Sequence, residues 1–350
     1  MFRVALFGAG RVGRVHARSI AGHDDARLVR VCDPVPQAAQ AVADRYGGRA
    51  GTGVDEVLGD PRVDAVVIAS PTPTHVDLLS RSVRAGKPVL CEKPIDLDLA
   101  AIDRCWADIA HHRPRVMMGF NRRFDPTFHW IRDRVSRGEI GAVRALRITS
   151  RDPEPPPPAY IAASGGIFRD MTIHDFDMAR YFLGDVTEVH ALVSDDGNAE
   201  LAAEGDAHQA MVLLRGAEGA LCTITNSRSC VFGYDQRLEV FGDGGMLEAA
   251  NQTPSSVRAY SAAAAETAEP YLHFFLERYR ESYLAELDEF LRAVGEGRTP
   301  APGFADGRAA LALAEAAVES VATGRTVAVA RNGSTGATTP SHDAENGALT

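Results

Sequence analysis

The sequence predicts an α/β Rossmann domain, a doubly wound parallel sheet, over residues 1–120, followed over 121–330 by a C-terminal α+β domain with a large, mostly antiparallel sheet. Three observations lead there. Up to about residue 119, short apolar runs alternate with longer amphipathic stretches, the pattern of βαβ units. A glycine-rich turn follows the first of those runs directly. Beyond residue 120 the strand signals lengthen and alternate, separated by Gly/Asp turns, as suits antiparallel strands with one buried face. At 350 residues the chain exceeds what one core usually holds, so two domains are expected.

In the first half, strands are expected at 3–7, 28–32, 64–69, 88–91 and 115–119. Between them, 12–21, 35–46, 75–85 and 97–110 carry apolar residues at three- and four-residue spacing, as helices packed on a sheet do. In the second half, strands are expected at 143–150, 188–193, 207–215, 220–227 and 237–242, and helices at 126–137, 170–183, 271–295 and 304–323. Gly184 marks the end of the second of these helices. Residues 331–350 are rich in Gly, Ser, Thr and Ala, which predicts a disordered tail.

Hydrophobic residues make up 45% and charged residues 24%, ordinary values for a globular chain. The formal net charge of −10 gives no electrostatic reason for nucleic acid or an anionic membrane as partner, so a small neutral ligand is expected. No apolar run reaches the roughly 20 residues that span a bilayer. The five cysteines are odd in number and lack a CxxC pair, which reads as reduced core thiols. The first residues have no basic lead or cleavage site of a secretory signal, and a cytoplasmic location is expected.

Gly8-Ala9-Gly10-Arg11-Val12-Gly13 stands between the first strand and the first helix. Gly8 permits the tight turn, Gly10 lets the backbone approach a pyrophosphate, and Gly13 lets the helix lie close to the strand. The free N–H groups at Arg11 and Val12 and the helix dipole then face the phosphates. Asp33 ends the second strand about 20 residues further on, where it either accepts from adenosine ribose hydroxyls or simply caps a turn. Pro34, Val35 and Pro36 offer no cation for a ribose phosphate, which favours NAD over NADP. The loop holding Ser70, Thr72 and His75 follows the 64–69 strand at the ligand-binding edge of the sheet. His75 there either touches the cofactor or begins the next helix.

The 88–91 strand runs into Glu92-Lys93-Pro94, a glutamate and a lysine at the same edge. Pro94 can take the cis form and hold Lys93 inward, toward nicotinamide ribose and substrate oxygen. Asp170 and His174 are four residues apart, so on a helix they share a face.

These pieces, with Gly119-Phe120-Asn121-Arg122-Arg123-Phe124-Asp125, Ser150-Arg151-Asp152-Pro153 and Asp170-Met171-Thr172-Ile173-His174-Asp175-Phe176-Asp177, make the chain resemble the glucose–fructose oxidoreductase/inositol dehydrogenase/rhizopine catabolism family over all but the tail. Within that family it resembles the branch that oxidises inositol. The resemblance implies NAD-dependent oxidation of a ring hydroxyl of a cyclic polyol to a ketone, with Lys93, Asp170 and His174 as the catalytic set. It also implies that Tyr234 and Tyr283 border the polyol, and that the assembly is a homotetramer. Asn121, Arg122 and Asp152 suit a ring bearing neutral hydroxyls, although Arg122 could equally bind a carboxylate, a phosphate or a surface acid.

In this reading His174 accepts the hydroxyl proton, Lys93 favours alkoxide character, and Asp170 orients substrate or histidine. Three other readings stay open on the sequence. One is a keto-sugar or nucleotide-sugar reductase, although no second phosphate loop is present; another is a catalytically silent NAD-binding regulator. The third is a metal-dependent hydrolase using His174 and Asp177, although no second histidine stands at ligand spacing, so no metal is expected.

Overall fold

A computed structural model describes residues 1–197, 201, 203 and 206–330. The predicted tail at 331–350 lies outside them. The first half runs β1 (Phe2–Phe7), α1 (Arg11–Ala21), β2 (Ala26–Cys32), α2 (Pro36–Tyr46), β3 (Arg49–Gly51), α3 (Val54–Leu58), β4 (Ala65–Ile68), α4 (His75–Arg84), β5 (Val89–Glu92), α5 (Leu99–Ile109) and β6 (Val116–Gly119). All six strands are parallel, in the order β3-β2-β1-β4-β5-β6. The order reverses between β1 and β4, which opens a crevice at their carboxyl ends. Strand β3 and helix α3 escape the sequence reading because three and five residues are too few to carry a period.

The second half contains α6 (Pro126–Ser136), β7 (Val143–Arg151), α7 (Pro158–Ser164), a π-helical turn at Phe168–Thr172, α8 (Ile173–Leu183), β8 (Val186–Ser194), β9 (Gln209–Gly216), β10 (Leu221–Ser227), β11 (Asp235–Gly242) and β12 (Gly245–Ala249). Then come α9 (Phe275–Arg278), α10 (Arg280–Gly295), α11 (Phe304–Thr323) and β13 (Val327–Ala328). The seven strands order as β12-β11-β7-β10-β9-β8-β13, antiparallel except for the parallel pair β7 and β10. In β9 buried and exposed residues alternate strictly, so one sheet face packs inward. On the other face Leu192, Met211, Leu213, Leu221, Phe241 and Met246 stand largely exposed.

Two expected helices are divided. The predicted 271–295 helix begins only at Phe275, after an extended Phe274 at φ −150° and ψ 173°, and Tyr279 interrupts it between α9 and α10. The predicted 170–183 helix opens with the π turn before its α-helical part.

The last helices return to the first sheet. Leu287, Phe290, Leu291 and Val294 of α10 share a core with Val4, Leu6, Val67, Leu90 and Met117. Residues of α11 enter the core on the sheet's opposite face, where a Cβ on Gly307 would stand 2.8 Å from Ile95. The predicted division at residue 120 therefore marks a change of sheet, while the covering of the first sheet comes partly from beyond it.

Candidate active site

The glycine turn has the shape its three positions require. Gly8 adopts φ +95°, and a Cβ there would lie 2.6 Å from the Ala69 and Ser70 backbone. A Cβ at Gly13 would meet the Gly8 carbonyl oxygen at 2.0 Å, whereas nothing lies within 4 Å of one at Gly10. The open position is the one that faces outward at the start of α1, whose N-terminus has no side-chain cap. These free N–H groups and this open space fit a dinucleotide pyrophosphate. Arg11 lies over the Phe274 and Phe275 rings at 5.6 and 5.4 Å, and Val12 packs on the core of the first sheet.

Asp33 accepts the Ala9 N–H at 2.7 Å and the Val35 N–H at 2.9 Å. It thus ties the end of β2 to the glycine turn. Each carboxylate oxygen retains a lone pair for a ribose hydroxyl. Ser70 Oγ lies 2.6 Å from Thr74 Oγ1, and Thr72 opens a short 3₁₀ turn.

Of the two readings of His75, the structure bears out the second: the residue begins α4. Its Nδ1 lies 2.7 Å from the Pro94 carbonyl oxygen and its Nε2 2.8 Å from that of Ser70, and the residue is buried. Both ring nitrogens are committed to backbone, so His75 holds the two cleft loops together and presents no polar atom to a ligand.

Glu92 also points away from the cleft, its carboxylate beside His16 and the Lys93 amide. The Lys93–Pro94 peptide is cis. Lys93 Nζ donates to the Asp170 carbonyl oxygen at 2.7 Å and approaches Asp170 Oδ1 at 3.3 Å. Asp170 lies in the π turn, where the wider ring releases a backbone carbonyl from the regular ladder. Tyr160 of α7 donates to Asp170 Oδ1 at 2.9 Å, and Arg228 Nη1 stands 3.9 Å from Asp170 Oδ2.

His174, one residue into α8, has its Nδ1 buried without a partner, and Phe120 packs edge-on against its ring. Burial, then the Lys93 and Arg122 cations, push this imidazole well below its ordinary value. At neutral pH it is therefore an uncharged base.

Arg122 is buried, with Nη1 donating to Ser150 Oγ and Asp175 Oδ1. Asp175 in turn accepts from Ser150 Oγ at 2.7 Å and Asn226 Nδ2 at 2.7 Å. Of the readings left open for Arg122, the structure shows the pairing with an acid, though a buried one, Asp175, and this pair cements the wall behind the site. Burial, then the Asp170 charge, push the Asp152 carboxyl up to about 7. Asn121 is buried with no side-chain partner among the described residues. Tyr234 packs edge-on against Phe274 and Tyr279, and Tyr283 against His16. Burial pushes both the Tyr234 and Tyr283 phenols well above their ordinary value, so each remains a hydroxyl donor. Asp177 is bound by two nitrogens of Arg123, at 2.8 and 2.6 Å, and is not available as a metal ligand beside His174.

The sequence reading missed Tyr160, Arg228, Tyr279 and Asp175 as parts of this site. Arg228 carries a legible signal, a cation ending an alternating strand; it is fully buried and held by Asp206 at 2.6 Å. Tyr160 follows a proline run and gives no such signal.

Residues 2–120 match the oxidoreductase family with an NAD-binding Rossmann fold, and residues 128–248 match the GFO/IDH/MocA C-terminal domain. An inositol 2-dehydrogenase of Rhizobium meliloti is 46% identical, the match covering 94% of this chain and 99% of that protein. Among solved structures, a myo-inositol dehydrogenase from Corynebacterium glutamicum superposes with a TM-score of 0.92 at 50% identity, over 95% of this chain and 100% of the other. A scyllo-inositol dehydrogenase from Lactobacillus casei, solved with NAD(H) and scyllo-inositol, gives 0.85 at 27% identity, over 94% and 99%. A glycine turn open at Gly10, a lysine on the strand-end turn and a histidine at the head of α8 stand in a chain that belongs to the GFO/IDH/MocA family of NAD-binding oxidoreductases.

Proposed function

We propose that the protein oxidises one ring hydroxyl of inositol, myo or scyllo, to the ketone, with NAD as cofactor. The observation that carries this reading is the Lys93 ammonium, fixed by Asp170, beside an imidazole kept neutral at the head of α8. The inositol dehydrogenases to which the chain is similar support the choice of substrate.

When bound, the nicotinamide accepts the hydride that leaves the carbinol carbon. The turn at Gly8, Gly10 and Gly13, with Asp33, binds and orients the dinucleotide. His174 takes the hydroxyl proton as the carbon–oxygen double bond forms. Lys93 has three N–H donors, two of them directed at Asp170, which leaves one to stabilise the developing alkoxide. Asn121, Asp152, Tyr234 and the remaining nitrogens of Arg122 face the other ring hydroxyls, while Tyr283, expected at the polyol, packs on His16 toward the Glu92 side.

A panel of cyclitols and sugars, assayed with NAD and then NADP, tests the reading. Inositol with NAD should give NADH fastest. Deoxy analogues should lose roughly 5–150-fold in kcat/KM, the equivalent of about 1–3 kcal/mol for each buried group left unpaired. Absence of NADH with every inositol isomer would overturn the assignment.

The reading extends to assembly in the cytoplasm as a homotetramer, in which the exposed apolar face of the second sheet is covered by other copies. Light scattering during size exclusion should report four chains. A monomer at working concentration would count against it.

A further inference from the structure

Behind the Glu92–Lys93 turn lies a buried cluster that takes no direct part in the chemistry described above. His16 of α1, Glu92 at the end of β5 and Glu286 of α10 each bring a side-chain nitrogen or oxygen within 4.8 Å of the others. All three are buried, Glu286 with 0% exposure. His16 Nε2 lies 2.6 Å from Glu92 Oε1, and Glu92 Oε2 accepts the Lys93 backbone N–H at 3.3 Å. Neither oxygen of Glu286 has a partner among the described residues.

No lysine or arginine pairs with Glu92 or Glu286 among the described residues. The nearest ammonium, that of Lys93, is turned to Asp170. The other titratable groups facing Glu286 are Tyr283, one turn earlier on α10, and Asp177 of α8, which is paired with Arg123. Two carboxyl groups this close, buried and with the His16 imidazole as their basic neighbour, disfavour each other's ionised form. Glu92 lies 2.6 Å from His16 Nε2 and accepts from the Lys93 amide, whereas Glu286 has no donor among the described residues. The proton therefore belongs on Glu286. Burial, then the charges of Glu92 and Asp177, push its carboxyl well above the ordinary range.

We propose that Glu286 is a positioning residue: it is held as the neutral acid, directs its proton at Glu92, and so fixes the strand end that presents Lys93 to the reacting hydroxyl. The functional half of this inference rests on the role given above to Lys93; the protonation half does not.

Two variants of the full-length protein test it, Glu286→Gln and Glu286→Leu. In difference infrared spectra at neutral pH, Glu286→Gln should remove one protonated-carboxyl C=O band from the wild-type spectrum. Because the amide can still donate to Glu92, its kcat should stay within about threefold of wild type. Glu286→Leu removes the donor and should lower kcat by roughly tenfold or more while NAD affinity changes less than about threefold, since a slight displacement of a reacting group is costly.

An infrared spectrum unchanged by Glu286→Gln would refute the protonation. So would a stoichiometric divalent metal in the wild type that is lost in Glu286→Gln, which would make the cluster a cation site. Unaltered kcat in Glu286→Leu would refute the positioning role. The infrared and metal readings need no turnover, so they stand even where Glu286→Leu fails to fold or where Lys93 itself proves dispensable.

Discussion

Replacing His174 by alanine is expected to lower kcat for polyol oxidation by roughly 10²–10⁴, the span a positioned acid or base contributes. Steady-state turnover with saturating NAD and inositol measures it; NAD affinity should hold, because His174 stands outside the glycine turn. The pH dependence sharpens the expectation. Burial and the two nearby cations disfavour imidazolium, so the neutral base persists to lower pH than an ordinary histidine would allow. The acid limb of kcat/KM should therefore fall below the usual histidine range. A separate inflection near pH 7 would belong to Asp152, pushed up to about 7, and should vanish in Asp152→Asn. Turnover in His174→Ala equal to wild type at every pH would remove histidine from the mechanism.

Lys93→Met should lower kcat by roughly 10²–10³, the loss typical when one preorganised donor to a developing oxyanion is removed. Methionine keeps the reach and the apolar stem, so the change isolates the charge. A second effect has a definite sign. The Lys93 cation helps hold His174 neutral, and without it the imidazole gains a proton more readily. The acid limb in Lys93→Met should accordingly move to higher pH than in the wild type. A variant that loses rate with an unmoved limb would place Lys93 too far from His174 for the shared role assigned here.

The parts of the site that were legible in the sequence are those fixed by short-range spacing. Gly8, Gly10 and Gly13 belong to one turn, and Asp33 lies one βα unit away, so their meaning survives without tertiary knowledge. Lys93 was legible because it follows a strand in a dinucleotide domain. The π turn at Asp170 was not, because apolar residues at three- and four-residue spacing fit an α-helix as well. His75 and Arg122 show the other limit: a polar residue at a cleft reads as a ligand contact until the backbone carbonyls or the buried acid that claim it are known. Arg228 and Glu286 reach the site from distant segments, 58 and 116 residues after Asp170. No local pattern announces such a meeting. The helix expected from residue 271 starts later than that, and Phe274, still extended there, packs on Tyr234 and lies under Arg11.

The return of α10 to the first sheet bears on the order in which the protein can be made. A nucleotide-binding module at the leading end of a chain is often complete when its own strands have left the ribosome. Here Leu90 and Met117 have no cover from Phe290 and Leu291 until the chain has been synthesised nearly to residue 300. Until then the nascent sheet carries an unsheltered oily flank, and the earliest strands wait on some of the latest residues to finish their burial.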